Sequence, residues 1–256
     1  EDVSKVRIRL NSMGINIKPV NRGRQVAVTY LRGGEAHRVT AKHCIYAGFH
    51  MYLPYLCPEL PEKQKVVLKD NVKMPFIAAN VFLRNGKPLQ ELGSASFYFP
   101  GRVLHECVAW GRSLGEHKQD FVAEDPLTIY MIGPMVGPHT NLNPQDQYRQ
   151  GRHKLLTMNF EEYEVEVREQ LASLFASTSF DVREDIIGLT INRWPHGYTR
   201  QYNSLFDPDY EEGYKPHEIA RKRHGRIAIA NSDASYVALV NTAIDEGLRA
   251  ANELLP

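Results

Sequence analysis

Apolar and polar residues alternate along the first part of the chain with the two-residue period of a β-strand. The alternation covers residues 6–10, 15–20 and 25–31 and reaches a turn at Gly33 and Gly34. The run HRVTAKHCIYAG continues the apolar pattern beyond that turn. The beginning of the chain is therefore expected to form a β-meander with one further strand leaving it.

The pattern changes after this meander. Pro58 and Pro61 bracket a predicted turn, and a short helix is expected to end near Asp70. The run VKMPFIAANVFLRN predicts a long buried strand, with Pro75 at an edge or a bulge because proline donates no ladder hydrogen bond. The glycine- and proline-rich stretch 86–144 contains two more predicted strands, RVLHECVAW and PLTIYMIG.

The segment NFEEYEVEVREQLASLF has a clear helical period. Asn159 is its predicted N-cap, and Glu164 stands four residues before Arg168 on the outer face. The apolar residues recur at spacings of three and four: Phe160, Tyr163, Val167, Leu171 and Leu174. The segment therefore predicts an amphipathic helix that packs by one face.

The last part of the chain predicts a strand, a turn and a helix. After the strand DIIGLTINRW and a polar loop to about residue 224, the strand RIAIAN leads to a helix from about Ser235 to Leu254. A helix N-terminus offers unpaired N–H groups and partial positive charge, which suit a phosphate or the electron-rich edge of a cofactor. Such a unit is also common in ordinary packing, so the pattern alone leaves both interpretations open.

Composition and charge narrow the class of partner. The 256 residues carry 31 basic and 30 acidic side chains and a net charge of +1, which gives no reason to expect nucleic acid or an anionic membrane as partner. No apolar run approaches the roughly 18 residues of a membrane span. Small-molecule partners are therefore favoured. The chain does not begin with Met, and we expect that something upstream was cleaved or lies on another chain.

Cysteine and histidine spacing gives no metal or redox motif. Cys44, Cys57 and Cys107 show no CxxC spacing and are expected to be buried thiols. The histidines from His37 to His153 show no spacing that places two metal ligands on one element, so no metal site is expected. The basic run RQGRHK at 149–154 is interpreted as a solvated loop or helix start.

Two segments, GRIAIANSDA and NRWPHGY, resemble the flavin-containing amine oxidase superfamily, in particular its bacterial spermidine dehydrogenase-like branch. The resemblance extends to RIRLNS with its meander, to CPELP and to VKMPFIAANVFLRN, and so covers most of the chain. It implies an α/β (α+β) fold, namely the distal half of a two-domain FAD-dependent enzyme.

The implied domains are parts of that enzyme. Residues 1–57 and 215–256 would belong to the FAD-binding domain, and residues 58–214 would form a substrate-binding domain with a mixed sheet. The superfamily binds the FAD pyrophosphate with a GxGxxG turn, and no GxG occurs in this sequence. We therefore expect an N-terminal half or a second polypeptide that carries GxGxxG.

Cofactor-binding residues follow from motif positions. Asp233 matches an acidic position near the ribityl and pyrophosphate region, or alternatively caps the last helix. Backbone donors near the first turn of that helix would stabilise charge on the flavin: Tyr236, Ala238 and Leu239. Gly14 and Ile15 match a backbone adenine-recognition position, or alternatively form an ordinary strand or bulge.

The substrate-facing residues are likewise implied by the resemblance. Lys73 would hold a water against flavin N5, unless it is a lysine at the rim of the sheet. Trp194 and Gly197 would line an aromatic pocket beside the flavin ring, and Tyr198, next to them, would belong to the catalytic residues. His196 would be a general base or a substrate anchor, since a histidine proton can move near neutral pH.

The resemblance implies hydride transfer from an amine, or an alcohol, to flavin N5. The alternative is a non-catalytic scaffold or interaction subunit derived from such an enzyme. The substrate, the electron acceptor and the location, in the periplasm or the cytoplasm, stay open at this point.

Overall fold

The computed structural model describes residues 6–109, 113–114, 117–118, 121–137, 141–205 and 207–255. This part of the chain divides into two compact units, the first formed by Glu1–Val72 with Thr199–Pro256 and the second by Lys73–Tyr198. The divisions fall after residues 72 and 198 rather than after the predicted 57 and 214. The helix before Asp70 accounts for the first difference, because its Leu68 lies in the core of the first unit.

The described chain contains strands and helices, with β1 to β4 and β6 to β10 following one another without an intervening helix. The strands are β1 (Met13–Val20), β2 (Gln25–Arg32), β3 (Glu35–Ala41), β4 (Cys44–Tyr46), β5 (Met74–Leu83), β6 (Ser96–Tyr98), β7 (Glu106–Ala109), β8 (Ser113–Leu114), β9 (His117–Lys118), β10 (Leu127–Pro134), β11 (Ile186–Tyr198) and β12 (Ile227–Ile229). The helices are α1 (Leu53–Leu56), α2 (Glu62–Asp70), α3 (Lys87–Leu92), α4 (Pro144–Thr157), α5 (Phe160–Leu174), α6 (Pro216–Ala220) and α7 (Val240–Asn252).

The first unit contains the predicted meander. Strands β1, β2 and β3 form an antiparallel sheet in that order. The predicted strand at 6–10 is wrong, because these residues lie outside the strands of the described chain and leave Ile8 and Leu10 exposed. Strands β4 and β12 pair in parallel, and their apolar residues join those of α1 and α2 in one core.

The second unit is built on the five-stranded sheet β11-β5-β10-β7-β6. All the described pairs of this sheet are antiparallel, so the expected mixed sheet is wrong in this detail. Helices α4 and α5 connect β10 to β11, as in a crossover between parallel strands. In the sheet, however, β5 lies between β10 and β11. The two strands therefore run in the same direction without pairing.

Helix α5 confirms the predicted amphipathic helix. Asn159 forms a capping box with Glu162, with both hydrogen bonds at 2.8 Å, and Arg168 pairs with Glu164 at 2.8 Å. Tyr163 and Val167 are buried in the core of the second unit. Helix α4, by contrast, lies where only a loop or helix start was expected.

Helix α7 begins at Val240, five residues after the predicted start. Its N-cap residue, Leu239, has an extended backbone and makes no side-chain capping bond. Residues 232–234 instead form a short 3-10 turn, and Tyr236 takes a left-handed backbone with φ of 56°. Asp233 therefore does not cap this helix.

Cys44, Cys57 and Cys107 are free thiols, and the last two are buried as predicted, whereas Cys44 is only partly buried. Burial raises the pKa of Cys57 to about 11 and that of Cys107 to about 12, which makes both thiols unreactive. Within the described residues, no helix combines the length and apolarity that crossing a bilayer requires.

Candidate functional site

The motif NRWPHGY forms a wide bulge at the end of β11. Trp194 pairs with Phe76 and Tyr198 pairs with Met74, so that three residues of β11 stand opposite Pro75 alone. Because Pro75 has no N–H to donate, the ladder is interrupted here, which permits the partner strand to bulge. The structure thus confirms the prediction that Pro75 lies at a bulge.

An aromatic stack lies beside this bulge and consists of Phe76, Trp194 and Tyr198. The Phe76 ring lies 5.7 Å from the Trp194 ring and 5.0 Å from the Tyr198 ring, with interplanar angles of 13° and 16°. Phe76 is buried, whereas Trp194 and Tyr198 are 52% and 45% exposed. The stack therefore presents two aromatic side chains outward on a fixed base.

Gly197 is required by the contact with Phe76. A Cβ atom at this position would lie 2.2 Å from Cδ1 of the Phe76 ring and 2.8 Å from the backbone oxygen of Met74. The space that this glycine leaves free is therefore filled within the protein, by the base of the aromatic stack.

Arg152, on helix α4, holds the bulge from the side. Its Nε donates to the backbone oxygen of Pro195 at 2.8 Å, and its Nη2 donates to that of Lys73 at 3.4 Å. A Cβ on the preceding Gly151 would lie 1.8 Å from the Met135 backbone oxygen, so glycine allows α4 to pack close to the end of β10. The interpretation of this basic run as a solvated face is wrong for Arg152.

His196 is neutral at physiological pH. Desolvation, together with the nearby cations of Arg152 and Lys73, lowers its pKa to about 4. The expectation that its proton moves near neutral pH is therefore wrong for this structure. Lys73 is only 4% exposed, so it is not a lysine at the rim of the sheet.

Replacing Arg152 by leucine is expected to raise the pKa of His196, because one of the cations that disfavour imidazolium is removed. In the unfolded chain a histidine has a pKa near 6.5, so the wild-type fold loses stability as the pH falls from about 6.5 towards about 4. Arg152→Leu should weaken this loss. NMR titration of labelled histidine, with His196→Gln for assignment, measures the shift. Arg149→Leu on the same helix is the control, and an unchanged His196 pKa in Arg152→Leu would refute the assignment.

A second group of predicted residues lies in the first unit, in the turn after β12. The carboxylate of Asp233 is fully buried, and its Oδ2 accepts a hydrogen bond from the backbone N–H of His50 at 3.1 Å. Asn231 accepts from the Asp233 N–H at 2.6 Å and donates to the backbone oxygens of Ala47 and Gly48. The turn is thus fixed to the segment after β4.

Asn71 adds an unsatisfied acceptor next to this turn. Its Nδ2 donates to the Asp233 backbone oxygen at 3.4 Å, and the residue is fully buried. Among the described residues, no hydrogen-bond donor reaches its Oδ1. A buried acceptor of this kind favours a bound water or a ligand hydroxyl.

Tyr236 is buried and lies at the centre of a group of aromatic side chains in the same unit. Its ring lies 5.3 Å from those of Tyr202 and His217, and the Arg200 guanidinium lies 5.9 Å from its centroid. The Tyr202 hydroxyl and His217 Nδ1 are 3.1 Å apart. The Tyr236 side chain therefore packs within this unit.

The other predicted cofactor contacts are partly used by the protein itself. The Leu239 N–H donates to the Val237 backbone oxygen at 2.9 Å, and Ala238 lies beside it in the same pre-helical segment. Ile15 falls at a register shift between Gly14 and Asn16 in β1, as the bulge alternative predicted. In the described part of the chain, no cluster of three or more acidic, histidine or cysteine side chains could hold a metal ion.

Comparison with known proteins identifies the fold. No protein-family model matches the chain, and no curated protein matches its sequence. Among solved structures, cyclohexylamine oxidase from Brevibacterium oxydans IH-35A matches with a TM-score of 0.62 and 10% identity, over 94% of this chain and 47% of its own. The chain has the fold of part of an amine oxidase.

Two further structures agree with this result. A triple mutant of putrescine oxidase, made to redesign cofactor binding, matches with a TM-score of 0.62 and 16% identity, over 95% of this chain and 48% of its own. Wild-type putrescine oxidase bound to putrescine matches with a TM-score of 0.58 and 16% identity. The predicted fold class is confirmed, and the chain spans about half the length of these structures.

Sequence reasoning found the bulge motif but missed Arg152, Asn71 and Phe76. Phe76 was visible only as one apolar residue of a buried strand. Asn71 follows a predicted helix, and no sequence motif distinguishes it from an ordinary loop residue. Gly151 next to Arg152 was the one available sign, since a glycine inside a helix often marks a close contact.

Proposed function

We propose that the protein is part of an FAD-dependent amine oxidase or dehydrogenase that transfers hydride from a carbon bearing nitrogen to flavin N5. The observation that carries this proposal is the likeness of the chain to amine oxidases over 94–95% of its length. The sequence motifs GRIAIANSDA and NRWPHGY support the spermidine dehydrogenase-like branch and a polyamine as substrate. An alcohol substrate and the scaffold role gain no support, because the matched structures named here are amine oxidases.

The residues of the first unit fit the polar part of FAD. The buried Asn71 Oδ1 lacks a donor among the described residues, and the hydroxyls of a ribityl chain would supply one. Asp233 lies beside Asn71, since its backbone oxygen accepts a hydrogen bond from Asn71 Nδ2. With no GxG in the sequence, the pyrophosphate would be bound by an N-terminal half or a second polypeptide.

The bound flavin would supply the hydride acceptor, and the residues of this chain would hold the substrate. Trp194 and Tyr198 would exclude water and confine the reacting carbon of the amine between aromatic surfaces. His196, neutral at physiological pH, would accept a hydrogen bond from the substrate N–H and so act as an anchor rather than as a base. Arg152 would position His196 by fixing the backbone of Pro195.

Lys73 keeps the role that the resemblance implies. We propose that its buried ammonium holds a water for the reaction, at the first residue of the second unit. The hydrogen bond from Arg152 to its backbone oxygen fixes the position of the residue.

Replacing His196 by alanine should slow flavin reduction by the amine on the order of 10²-fold, because the substrate loses its anchor. His196→Gln should recover much of the rate, since its amide oxygen can also accept a hydrogen bond. Anaerobic stopped-flow reduction of the assembled enzyme measures both variants, with the exposed His153→Ala as control. The rate should show no His196 titration between pH 6 and 9, and a wild-type rate in His196→Ala would contradict the assignment.

A further inference from the structure

A small basic pocket lies at one end of the sheet β1-β2-β3 in the first unit. It has a volume of about 340 Å³ and is lined by Asn21, Arg24, Gln25, Lys42 and Arg226. Three of these side chains are cations, and the other two are amides, which can also donate hydrogen bonds. No described residue that lines the cavity is acidic. We call these five residues the basic pocket, and none of them has a role in the proposed oxidation.

Three separate segments of the chain meet at the basic pocket. The turn between β1 and β2 supplies Arg24, and Gln25 is the first residue of β2. Lys42 follows β3, whose last residue pairs with the residue after Gln25. Arg226 precedes β12, and its backbone oxygen accepts a hydrogen bond from the Cys44 N–H at 2.9 Å. Hydrogen-bonded backbone therefore fixes the position of each segment around the cavity.

Side-chain contacts hold two of the three cations in place. The Arg24 Nε donates to the Asn21 backbone oxygen at 3.3 Å, and the Arg226 Nη1 donates to His43 Nε2 at 2.6 Å. Each contact uses one N–H of a guanidinium and leaves the other N–H groups for a ligand. The Asn21 Nδ2 donates to the Gln25 Oε1, which links the two amides of the lining. Side chains that are ordered before binding lose less entropy when a ligand binds.

The three cations have no anionic partner in the described part of the chain. No carboxylate there forms an ion pair with Arg24, Lys42 or Arg226. The segments that build the pocket contain no aspartate or glutamate over long stretches, namely residues 3–34, 36–58 and 219–232. The net charge of +1 therefore conceals a local excess of positive charge. Like charges around one cavity repel one another, and a bound anion would offset this repulsion.

We propose that the basic pocket binds a terminal phosphate group, carried by a soluble phosphomonoester or by an anionic lipid headgroup. Planar guanidinium groups match the geometry of phosphate oxygens and bind them in pairs, and Lys42 adds a compact charge. The cations surround one cavity instead of forming a stripe, which favours a single phosphate over the repeated phosphates of a nucleic acid. This inference goes beyond the proposed function and does not depend on it.

Calorimetric titration of the protein from its own host with glycerol 3-phosphate, at constant ionic strength, tests the proposal. We expect saturable binding that the double variant Arg24→Gln, Arg226→Gln weakens about tenfold or more, because two charge-assisted contacts are lost. Arg32→Gln is the matched control, since this exposed arginine lies at the opposite end of β2 and its loss changes the net charge only. If the double variant is unstable, Lys42→Gln serves instead, because the exposed Lys42 side chain makes no hydrogen bond within the described chain.

Vesicles of phosphatidylcholine, with and without phosphatidic acid, distinguish the two sources of phosphate. Cosedimentation with the acidic vesicles alone, lost in the double variant, would assign a lipid headgroup, whereas binding of glycerol 3-phosphate would assign a soluble ligand. Either result supports the basic pocket. The proposal is overturned if neither ligand binds, if Arg32→Gln weakens binding as much as the double variant, or if only duplex DNA binds. Loss of flavin from the double variant would assign the pocket to the cofactor and would also overturn the proposal.

Discussion

Gly197→Ala is expected to destabilise the protein by about 3 kcal/mol, the upper part of the range for overpacked sites. The added methyl group would meet the Phe76 ring at 2.2 Å and the Met74 backbone oxygen at 2.8 Å. This steric overlap can be removed only by displacing Phe76, which would disrupt the aromatic stack, or by separating β5 from β11. Urea unfolding, followed by tryptophan fluorescence and by circular dichroism, measures the loss.

Gly188→Ala in the same strand is the matched control. A Cβ there would make an ordinary contact of 3.5 Å with Phe82, so its stability should stay within about 0.5 kcal/mol of wild type. The two variants add the same atom to one strand. Equal stability of both would show that the contact between Gly197 and Phe76 is not tight in solution.

Asp233→Ala is expected to lower the FAD content of the assembled protein about tenfold. The substitution leaves the buried His50 N–H without its carboxylate acceptor, and an unsatisfied buried donor costs about 1–3 kcal/mol. The turn that carries Asp233, to which Asn71 donates a hydrogen bond, would then lose its fixed geometry. Asp233→Asn should keep most of the FAD, because its amide oxygen can accept from His50. Flavin released on denaturation and separated by chromatography measures the content.

Asp245→Ala is the control for this comparison, since Asp245 is exposed on α7. It should retain the wild-type flavin content. If Asp233→Ala also retains full flavin and loses only stability, Asp233 holds the local turn and has no part in cofactor binding.

The structure confirms the predicted elements whose hydrophobic pattern and end signals are both clear in the sequence. Strand β5 is a long apolar run, and α5 combines a helical period with a capping box. Both features are local, so the sequence contains all the information that defines them. The bulge at Pro75 was also predictable, because the missing N–H is a property of proline itself.

The errors arose where pairing or backbone geometry decides the structure. Residues 6–10 alternate like a strand but lie outside the strands of the described chain, and alternation cannot reveal whether a partner strand exists. The start of α7 was misplaced because NSDAS has good capping residues, yet Tyr236 adopts a left-handed backbone that ends the turn before the helix begins. Helix α4 was missed because it is mostly polar.

Only part of the candidate site could be predicted from the sequence. The motif located Trp194, His196, Gly197 and Tyr198 on one turn, but the reason for Gly197 is its contact with Phe76, which lies on another strand. The low pKa of His196 depends first on burial and then on Arg152 and Lys73. These effects come from tertiary packing.

The absorption spectrum of the protein purified from its own host, with whatever completes its fold, tests the central claim most directly. We expect about one FAD for each copy of this chain, and bleaching of the flavin bands when a polyamine such as putrescine is added without oxygen. A pure, folded assembly without flavin, or a flavin that no amine reduces, would contradict it.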